Sequence, residues 1–404
     1  MVDSSAIKVA VVGAGVGGLA AASFLSRAGA DVTVFEARAQ HELTQVDYGV
    51  ALHTNGLLVL DALGIAAPLA DQGSNLSQMR LFDEYMNTVV EVDAPDFGLP
   101  EPTETRRWGP ILVVSHREMH QRLQQAAVEA GAKIEYGQRL SAVSVDEDAC
   151  PMVYLGGQSH RYDMVVGADG IESVTRRLLY DGDVKKSGRR KYARGLLKWS
   201  LLDNAAGQYW TRRGVAEMLP CGAETTYWFA AVTPQMQAAV DQSDIEQFRR
   251  AVASAHPPLL QTIKALHSLD DVDFGYSRTI ELERFYEGEV VLIGDAAHPI
   301  EPTLAQGANT ALLDAAVLGS EIFRRDHIPE ALVAYQARRG DPINEVQRDA
   351  RRLALVANFT HARRLRNVVV KMVPASVYRQ AALRIAQNDL SALRRELREL
   401  VGSG

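Results

Sequence analysis

The chain has 404 residues, of which 47% are hydrophobic and 23% charged, with a formal net charge of −7. These are ordinary figures for a soluble globular protein of two or three domains, and they exclude a wholly disordered chain and an overall basic nucleic-acid binder. Two distant cysteines, Cys150 and Cys221, exclude a disulfide framework and fit a reducing, cytoplasmic setting; without an uninterrupted apolar run of about 20 residues, no transmembrane segment is expected. Along the chain, residues 7–12 (Ile-Lys-Val-Ala-Val-Val) read as a buried strand. Leu19–Arg27 reads as a helix closed by Gly29, and Val32–Phe35 as a second strand. Together they form a βαβ unit, and the glycines interrupting it argue against a signal peptide. Leu57–Leu63 reads as helix and Asp71–Pro110 as irregular β structure. Ser115–Ala130 is a helix opened by a Ser115/Glu118 capping box and closed at Gly131. Strands are expected over Lys133–Gly157, Arg161–Val166 and the aromatic block Ser187–Val232, helices over Ile245–Ala255 and Pro258–Leu266, and a last buried strand over Glu289–Ile293. Ala308–Phe323 reads as helix, and residues 329–404 as mostly helix with breaks at Pro342 and Pro374. From Arg351 onward eleven basic residues face three acidic ones, which is either a solvated helix face or a surface for an anionic partner.

Three motifs carry chemistry. The first is Gly13-Ala-Gly15-Val16-Gly17-Gly18, between strand and helix. Gly13 permits the turn, Gly15 lets a pyrophosphate approach the backbone, and Gly18 permits close helix packing. Glu36 follows at the end of the second strand, where a carboxylate accepts from a ribose hydroxyl and repels a 2′-phosphate. The second is Gly167-Ala-Asp169-Gly170, with Ser173 and Arg176 beyond it; taken alone it is equally a capped strand–helix junction. The third is Gly294-Asp295-Ala-Ala-His298-Pro299, then Pro302, then Gly307-Ala308-Asn309 at a helix start whose amides face any anion before them. No histidine, cysteine or acidic spacing points to a metal, and no Gly-x-Ser-x-Gly elbow is present. His298 is read as a locally bonded residue.

In this order and spacing, the motifs resemble those of the FAD-dependent aromatic hydroxylases, single-component flavoprotein monooxygenases of the p-hydroxybenzoate hydroxylase type. The similarity is greatest to the salicylate, 6-hydroxynicotinate and urate hydroxylase branch, and it spans about residues 7 to 370. It implies an α/β fold: a Rossmann-like, glutathione-reductase-type FAD-binding domain (1–72, 103–182 and 278–340), an inserted antiparallel β-sheet substrate domain (73–102 and 183–277) and a C-terminal helical segment (341–404). It implies FAD as cofactor, NADH or NADPH as a transient co-substrate without a second Gly-x-Gly-x-x-Gly domain, and O2. The expected reaction is hydroxylation of a small aromatic or heteroaromatic ring through a flavin C4a-hydroperoxide, in a cytoplasmic monomer or homodimer. Gly13, Gly15 and Gly18 are expected on the pyrophosphate, Glu36 at the adenosine ribose, Val16, Arg38 and Arg117 on the cofactor, and Leu140 by the adenine. Asp169 belongs to the Asp-Gly motif associated with both FAD and the nicotinamide. Asp295 is expected on the ribityl chain, Gly307, Ala308 and Asn309 at the N1–C2=O edge of the isoalloxazine, and Pro302 over its reactive face.

Two departures stand out. Ala305 replaces a glycine common in relatives, and Ala51 occupies the position of a substrate-facing histidine. His53, two residues on, is either a pocket residue or a buried histidine. Trp199, Tyr209 and Tyr227 are expected pocket-wall residues, with Trp210 and Trp228 beside them; each is equally plain sheet core. No substrate base is named by the sequence. Baeyer–Villiger oxidation or epoxidation of a polyketide-like substrate on the same scaffold is one alternative, and a flavin-binding module without turnover is another. The absence of a Trp-x-Trp-x-Ile-Pro segment disfavours halogenation.

Overall fold

The first glycine motif lies in a β-α-β crossover: β1 (Lys8–Val12) runs through α1 (Val16–Arg27) into the parallel strand β2 (Asp31–Glu36). The computed structural model describes residues 6–93, 108–147, 150–180, 185–201, 205–359, 361–374, 376–377, 380 and 390–402. In chain order β3 (Gly49–His53), α2 (Thr54–Ala62), α3 (Ala66–Ala70), β4 (Ser74–Asn75), β5 (Gln78–Asp83) and β6 (Thr88–Asp93) follow. After them come β7 (Ile111–Ser115), α4 (His116–Glu129), β8 (Lys133–Tyr136), β9 (Leu140–Val145), β10 (Pro151–Leu155), β11 (Gln158–Arg161), β12 (Met164–Gly167) and α5 (Val174–Leu179). The aromatic block forms β13 (Lys185–Lys198), β14 (Gly207–Thr211), β15 (Gly214–Pro220) and β16 (Thr225–Ala231), with α6 (Pro234–Asp241), α7 (Ile245–Ala255) and β17 (Asp273–Glu281) behind it. The chain ends with β18 (Tyr286–Glu287), β19 (Val290–Leu292), α8 (Gly307–Phe323), α9 (Ile328–Ala357), α10 (Arg363–Met372) and α11 (Leu390–Gly402).

Two large sheets organise these elements. One runs β18-β19-β12-β1-β2-β8, parallel except at its β18 edge. Strands β1, β12 and β19, each preceding one of the three motifs, are therefore neighbours, and all end at the same edge. Their runs Val9–Val12, Met164–Gly167 and Val290–Leu292 are wholly buried, as parallel strands covered on both faces must be. Helix α1 packs on α8, with Leu19, Phe24, Leu312, Ala316 and Leu318 in one core. The second sheet runs β17-β13-β16-β15-β14-β5-β6. It was expected to be antiparallel, yet β14 pairs with β5 in parallel, because β5 arrives from a distant part of the chain rather than through a hairpin. The pleat sends Ala193, Ala216, Trp228 and Ala230 to one face, where Met236 of α6 and Phe248 and Val252 of α7 cover them. Two three-stranded sheets, β11-β10-β9 and β3-β7-β4, complete the fold.

Two expectations fail for identifiable reasons. Pro342 does not break its helix: the 30-residue α9 runs straight through it. Ala331, Leu332, Tyr335, Ile343, Val346 and Ala350 are buried along its length, and that packing exceeds the ~3 kcal/mol a mid-helix proline costs. Pro258–Leu266 forms no α-helix but two 3-10 turns, Pro257–Leu259 and Thr262–Ala265, which already bury Leu259, Ile263 and Leu266 in the core behind the second sheet. The expected boundaries at 102/103 and 182/183 lie outside the described residues. Part of the basic C-terminal stretch is used internally: Arg351 pairs with Glu281, Arg363 with Glu84, and Arg366 reaches the Ala357 carbonyl and the Trp210 ring.

Candidate functional site

A cleft of about 570 Å³ opens between the two large sheets. Its floor is built by the three motifs. Gly13 has φ +105°, and a Cβ there would sit 2.5 Å from the Ala168 carbonyl oxygen, so the first turn rests directly on the second motif. A Cβ on Gly18 would meet the Gly13 carbonyl oxygen at 2.0 Å, which holds α1 against the strand end. Gly15 and Gly307 differ: both line the cleft, and a Cβ on either meets no protein atom within 4 Å. They mark the starts of α1 and α8. Neither start has a side-chain cap or an acid in its first turn, so their free amides and positive dipole ends point at one space. By contrast α4, α5, α6 and α7 are capped by Ser115, Ser173, Thr233 and Asp244.

Buried polar ties lock the floor. The Asp169 carboxylate accepts from the Ser173 hydroxyl (2.5 Å), the Val174 and Thr175 amides (2.7 and 3.0 Å) and the Thr175 hydroxyl (3.1 Å). Its four bonds are thus spent bracing the first turn of α5 beside the Ser173 cap, and it does not line the cleft, whereas Ala168 and Gly170 do. The fully buried Arg176 donates to the carbonyls of Ile171, Asp295 and Ala296, stitching the second motif to the third. Asp314 of α8 accepts from the Gly294 amide (2.9 Å), His298 Nε2 (2.5 Å) and Arg339 Nε (2.7 Å). The His298 ring is engaged with Asp314 behind the floor, as expected of a locally bonded residue. Burial would raise the Asp314 pKa, but His298 and Arg339 outweigh it and hold it low.

The remaining expected residues divide. Val16, Arg38, Asp295, Pro302 and Ala308 line the cleft beside Gly15 and Gly307. Asp295 is open to the cleft yet enclosed by protein, and burial raises its pKa against the pull of His298, Arg194 and Arg176. Glu36 is buried just behind. It accepts from the Ala14 amide (2.9 Å) and from Arg38 at both backbone and Nε (3.0 Å each), and these bonds outweigh burial and lower its pKa. Arg117 is exposed and off the cleft; it donates to the carbonyls of Thr44 and Gln45, fixing a loop whose Gln45 and Val46 do line it. Leu140 is buried in a separate core with Phe35 and Val153. The Asn309 side chain is spent on the His53 amide and the Ala51 and Ala305 carbonyls, clamping β3 to α8. Ala305 lines the cleft in a left-handed conformation, φ +51°, which explains why glycine suits this position.

Of the expected wall residues, Ala51 and Tyr227 line the cleft. The others need correction. His53 is buried outside it, its strand turning directly into α2. Trp199 lies beyond the end of β13, 38% exposed, its carbonyl accepting from Thr226. Tyr209 is fully buried on the opposite face of the sheet, stacked on Phe82. Trp228 shares that face, because strand parity puts it there.

Sequence reasoning missed the polar part of the wall. Cross-strand register aligns Asp273, Arg194, Phe229, Glu217 and Gln208 in one row over β17, β13, β16, β15 and β14, and all five line the cleft. Arg194 Nε donates to Asp273 (2.7 Å), and its guanidinium lies 3.6 Å from the centre of the Tyr48 ring. Burial opposes the Arg194 charge, but Tyr48, Tyr192 and Asp273 outweigh it. Tyr48 in turn stacks on His116, which burial and the neighbouring His120, Arg194 and Arg38 bring down to about 3, a neutral ring. Burial raises Glu217 to about 7. The available signal was a charge inside an apolar strand, Arg194 within Tyr-Ala-Arg-Gly-Leu and Glu217 within Val-Ala-Glu-Met-Leu.

The family described as the FAD binding domain matches residues 6–348. The chain is 31% identical over 370 residues to a 3-amino-4-hydroxybenzoate 2-monooxygenase of Streptomyces cremeus, covering 88% of each chain. It is 26% identical over 360 residues to a 6-hydroxynicotinate 3-monooxygenase of Bordetella bronchiseptica, covering 84% of this chain and 90% of that one. Among solved structures, an HpxO variant of Klebsiella pneumoniae complexed with FAD superposes with a TM-score of 0.73 at 21% identity, over 98% and 99% of the two chains.

Proposed function

Because the chain belongs to the FAD-dependent aromatic hydroxylases, flavoprotein monooxygenases that draw on NAD(P)H, we propose that its cleft holds one FAD along the floor and the ring to be oxygenated against the seven-stranded sheet. One observation carries the assignment: two uncapped helix starts open on a single cleft, each at a glycine where a methyl group would occupy ligand space rather than touch protein. In this reading the amides at Gly15 and Val16 take the pyrophosphate, with Arg38 as the nearby cation. Glu36, which has one acceptor site left after three internal bonds, takes a ribose hydroxyl. Asp295 holds the ribityl hydroxyls. The amides at Gly307 and Ala308 face the flavin edge where negative charge gathers on reduction. Bound FAD supplies the relay of two electrons from the nicotinamide to O2 and the transfer of one oxygen atom to the ring.

The chain's own residues do the rest. Tyr192, Phe229, Val215 and Tyr227 present apolar surface to a flat ring and exclude water from it. Pro302 and the Ala305 turn set the distance between floor and wall. The half-buried, neutral His116 and the buried His120, whose pKa burial lowers, lie beside the adenosine end, His120 Nε2 bonded to the Ala14 carbonyl at 2.7 Å. The substrate is a small hydroxylated or aminated benzene or pyridine, the class named by both curated relatives. The family's chemistry does not favour the Baeyer–Villiger, epoxidation or turnover-free alternatives. A cytoplasmic setting suits the two free cysteines, and no helix among the described residues is long and apolar enough to cross a membrane. The test is to load the purified protein with FAD and screen hydroxy- and aminobenzoates and hydroxypyridines for accelerated NAD(P)H oxidation, with the oxygenated product identified by mass spectrometry. A flavin-loaded protein whose NAD(P)H consumption no ring compound accelerates refutes the proposal.

A further inference from the structure

Glu217 has no part in the reading above. It stands mid-strand in β15, between Gln208 of β14 and Phe229 of β16, on the face that lines the cleft. The other polar members of its row are engaged. Arg194 and Asp273 hold each other, and Gln208 accepts from Trp210 Nε1 (2.9 Å) and donates to the Thr303 carbonyl (3.4 Å). Among the described residues no hydrogen bond and no ion pair reaches the Glu217 carboxylate. Its own strand offers only Val215 and Leu219 on that face, both buried. The titratable groups that face it are Tyr227 of β16, whose phenol burial holds well above its ordinary pKa, and, further along the row, the neutralised Arg194–Asp273 pair. Charged groups are seldom left unpaired in apolar surroundings, because the cost is large. Here the only direction open to a partner is the cleft.

We propose that Glu217 is the specificity-determining residue of the substrate site: it accepts the hydrogen bond of a hydroxyl or amino group on the substrate ring, and it takes the proton of that hydroxyl as the ring is oxygenated. The inference rests on the substrate lying against the seven-stranded sheet. The substrate class narrows accordingly to rings bearing a donor at the β15 end of the cleft; a carboxylate at that end is repelled. The protons balance. The ring O–H bond breaks, its proton passes to a Glu217 oxygen, and the electron pair stays on the ring as an oxyanion that enriches the ortho and para carbons. One of these carbons bonds the incoming oxygen and then loses its hydrogen as a proton to water. The oxyanion recovers its proton from Glu217, which is again a carboxylate. A carboxyl held near neutral by burial is suited to this exchange.

The experiment uses the FAD-loaded full chain with 2-aminophenol, 3-hydroxybenzamide and 3-hydroxypyridine, each paired with its O-methyl ether. Affinities are read from the perturbation of the flavin visible spectrum and rates from NAD(P)H consumption. The wild type should bind at least one hydroxyl probe about tenfold or more tightly than its ether. Glu217→Leu should abolish that preference while retaining FAD. Glu217→Gln should keep most of the affinity but lose oxygenation rate, and with it the rise in rate around pH 7. A wild type without the preference, whether from equal binding or from none, overturns the proposal, as does a preference that survives in Glu217→Leu. FAD retention, measured separately on the same samples, shows whether the parent reading has failed as well.

Discussion

Replacing Gly15 with alanine separates cofactor binding from folding. Gly15 caps α1 with φ −79° and ψ −175°, extended backbone that alanine adopts freely. The added methyl meets no protein atom within 4 Å. The lower flexibility of the unfolded chain and the poorer N-cap roughly cancel, so apoprotein stability should stay within about 1 kcal/mol of wild type. The methyl occupies the space through which a pyrophosphate reaches the α1 amides. Losing two amide bonds to charged phosphate oxygens, at about 1.5–3 kcal/mol each, weakens FAD binding by about 10²- to 10⁴-fold. Gly18→Ala is the contrasting variant, since its Cβ would lie 2.0 Å from the Gly13 carbonyl oxygen and α1 cannot seat at all. Thermal unfolding of both apoproteins, together with FAD titration by fluorescence quenching, reads the two effects. Wild type in FAD at about 100 times its Kd should gain ~2.7 kcal/mol, and Gly15→Ala almost none at the same concentration. Wild-type FAD affinity in Gly15→Ala, or an apoprotein weakened by more than about 2 kcal/mol, would show that this helix start is not the phosphate site.

Asp314→Asn leaves Arg339 buried without its counter-charge and should cost about 3–5 kcal/mol in chemical denaturation; a loss below about 1 kcal/mol contradicts the role given to this carboxylate. Ala305→Gly relieves a left-handed alanine worth about 1–2 kcal/mol, offset by about 0.4–1 kcal/mol of unfolded-state entropy. Its melting temperature should therefore hold or rise slightly, and a fall would count against that strain. Glu217 binds its proton more tightly when folded, at about 7 against an ordinary 4.5, so stability declines as pH rises between those values and stays low above them. Glu217→Gln should thus be more stable than wild type at pH 8, by about 1–3 kcal/mol after allowing for cleft water, and equal to it near pH 4. Identical pH–stability curves for the two proteins would contradict a half-buried, unpaired carboxylate held above its ordinary pKa.

The floor of the cleft was legible because each part is local in sequence. A strand, a glycine turn and a helix start lie within a dozen residues in the first two motifs and within 18 in the third, and only their meeting in space had to be inferred. The adjacency of β1, β12 and β19 supplied that meeting. The wall was not legible, because its polar row joins residues as distant as Arg194 and Asp273 through register alone, and register is set by tertiary packing. Composition singled out the aromatic residues of this block, but it does not report parity. Tyr209 and Tyr227 look alike in sequence and lie on opposite faces. The proline in α9 misled for a related reason: local preference was read correctly, and burial along the whole helix overrode it.

The two-faced sheet has an evolutionary corollary. Side chains at Arg194, Gln208, Glu217 and Phe229 project away from the helices that brace Ala193, Tyr209, Met218 and Trp228, so each neighbouring residue along a strand answers to a different demand. A lineage can exchange the first set to accept a new ring while the second goes on supporting the molecule. Selection for diet and selection for durability therefore act on alternate letters of the same strands.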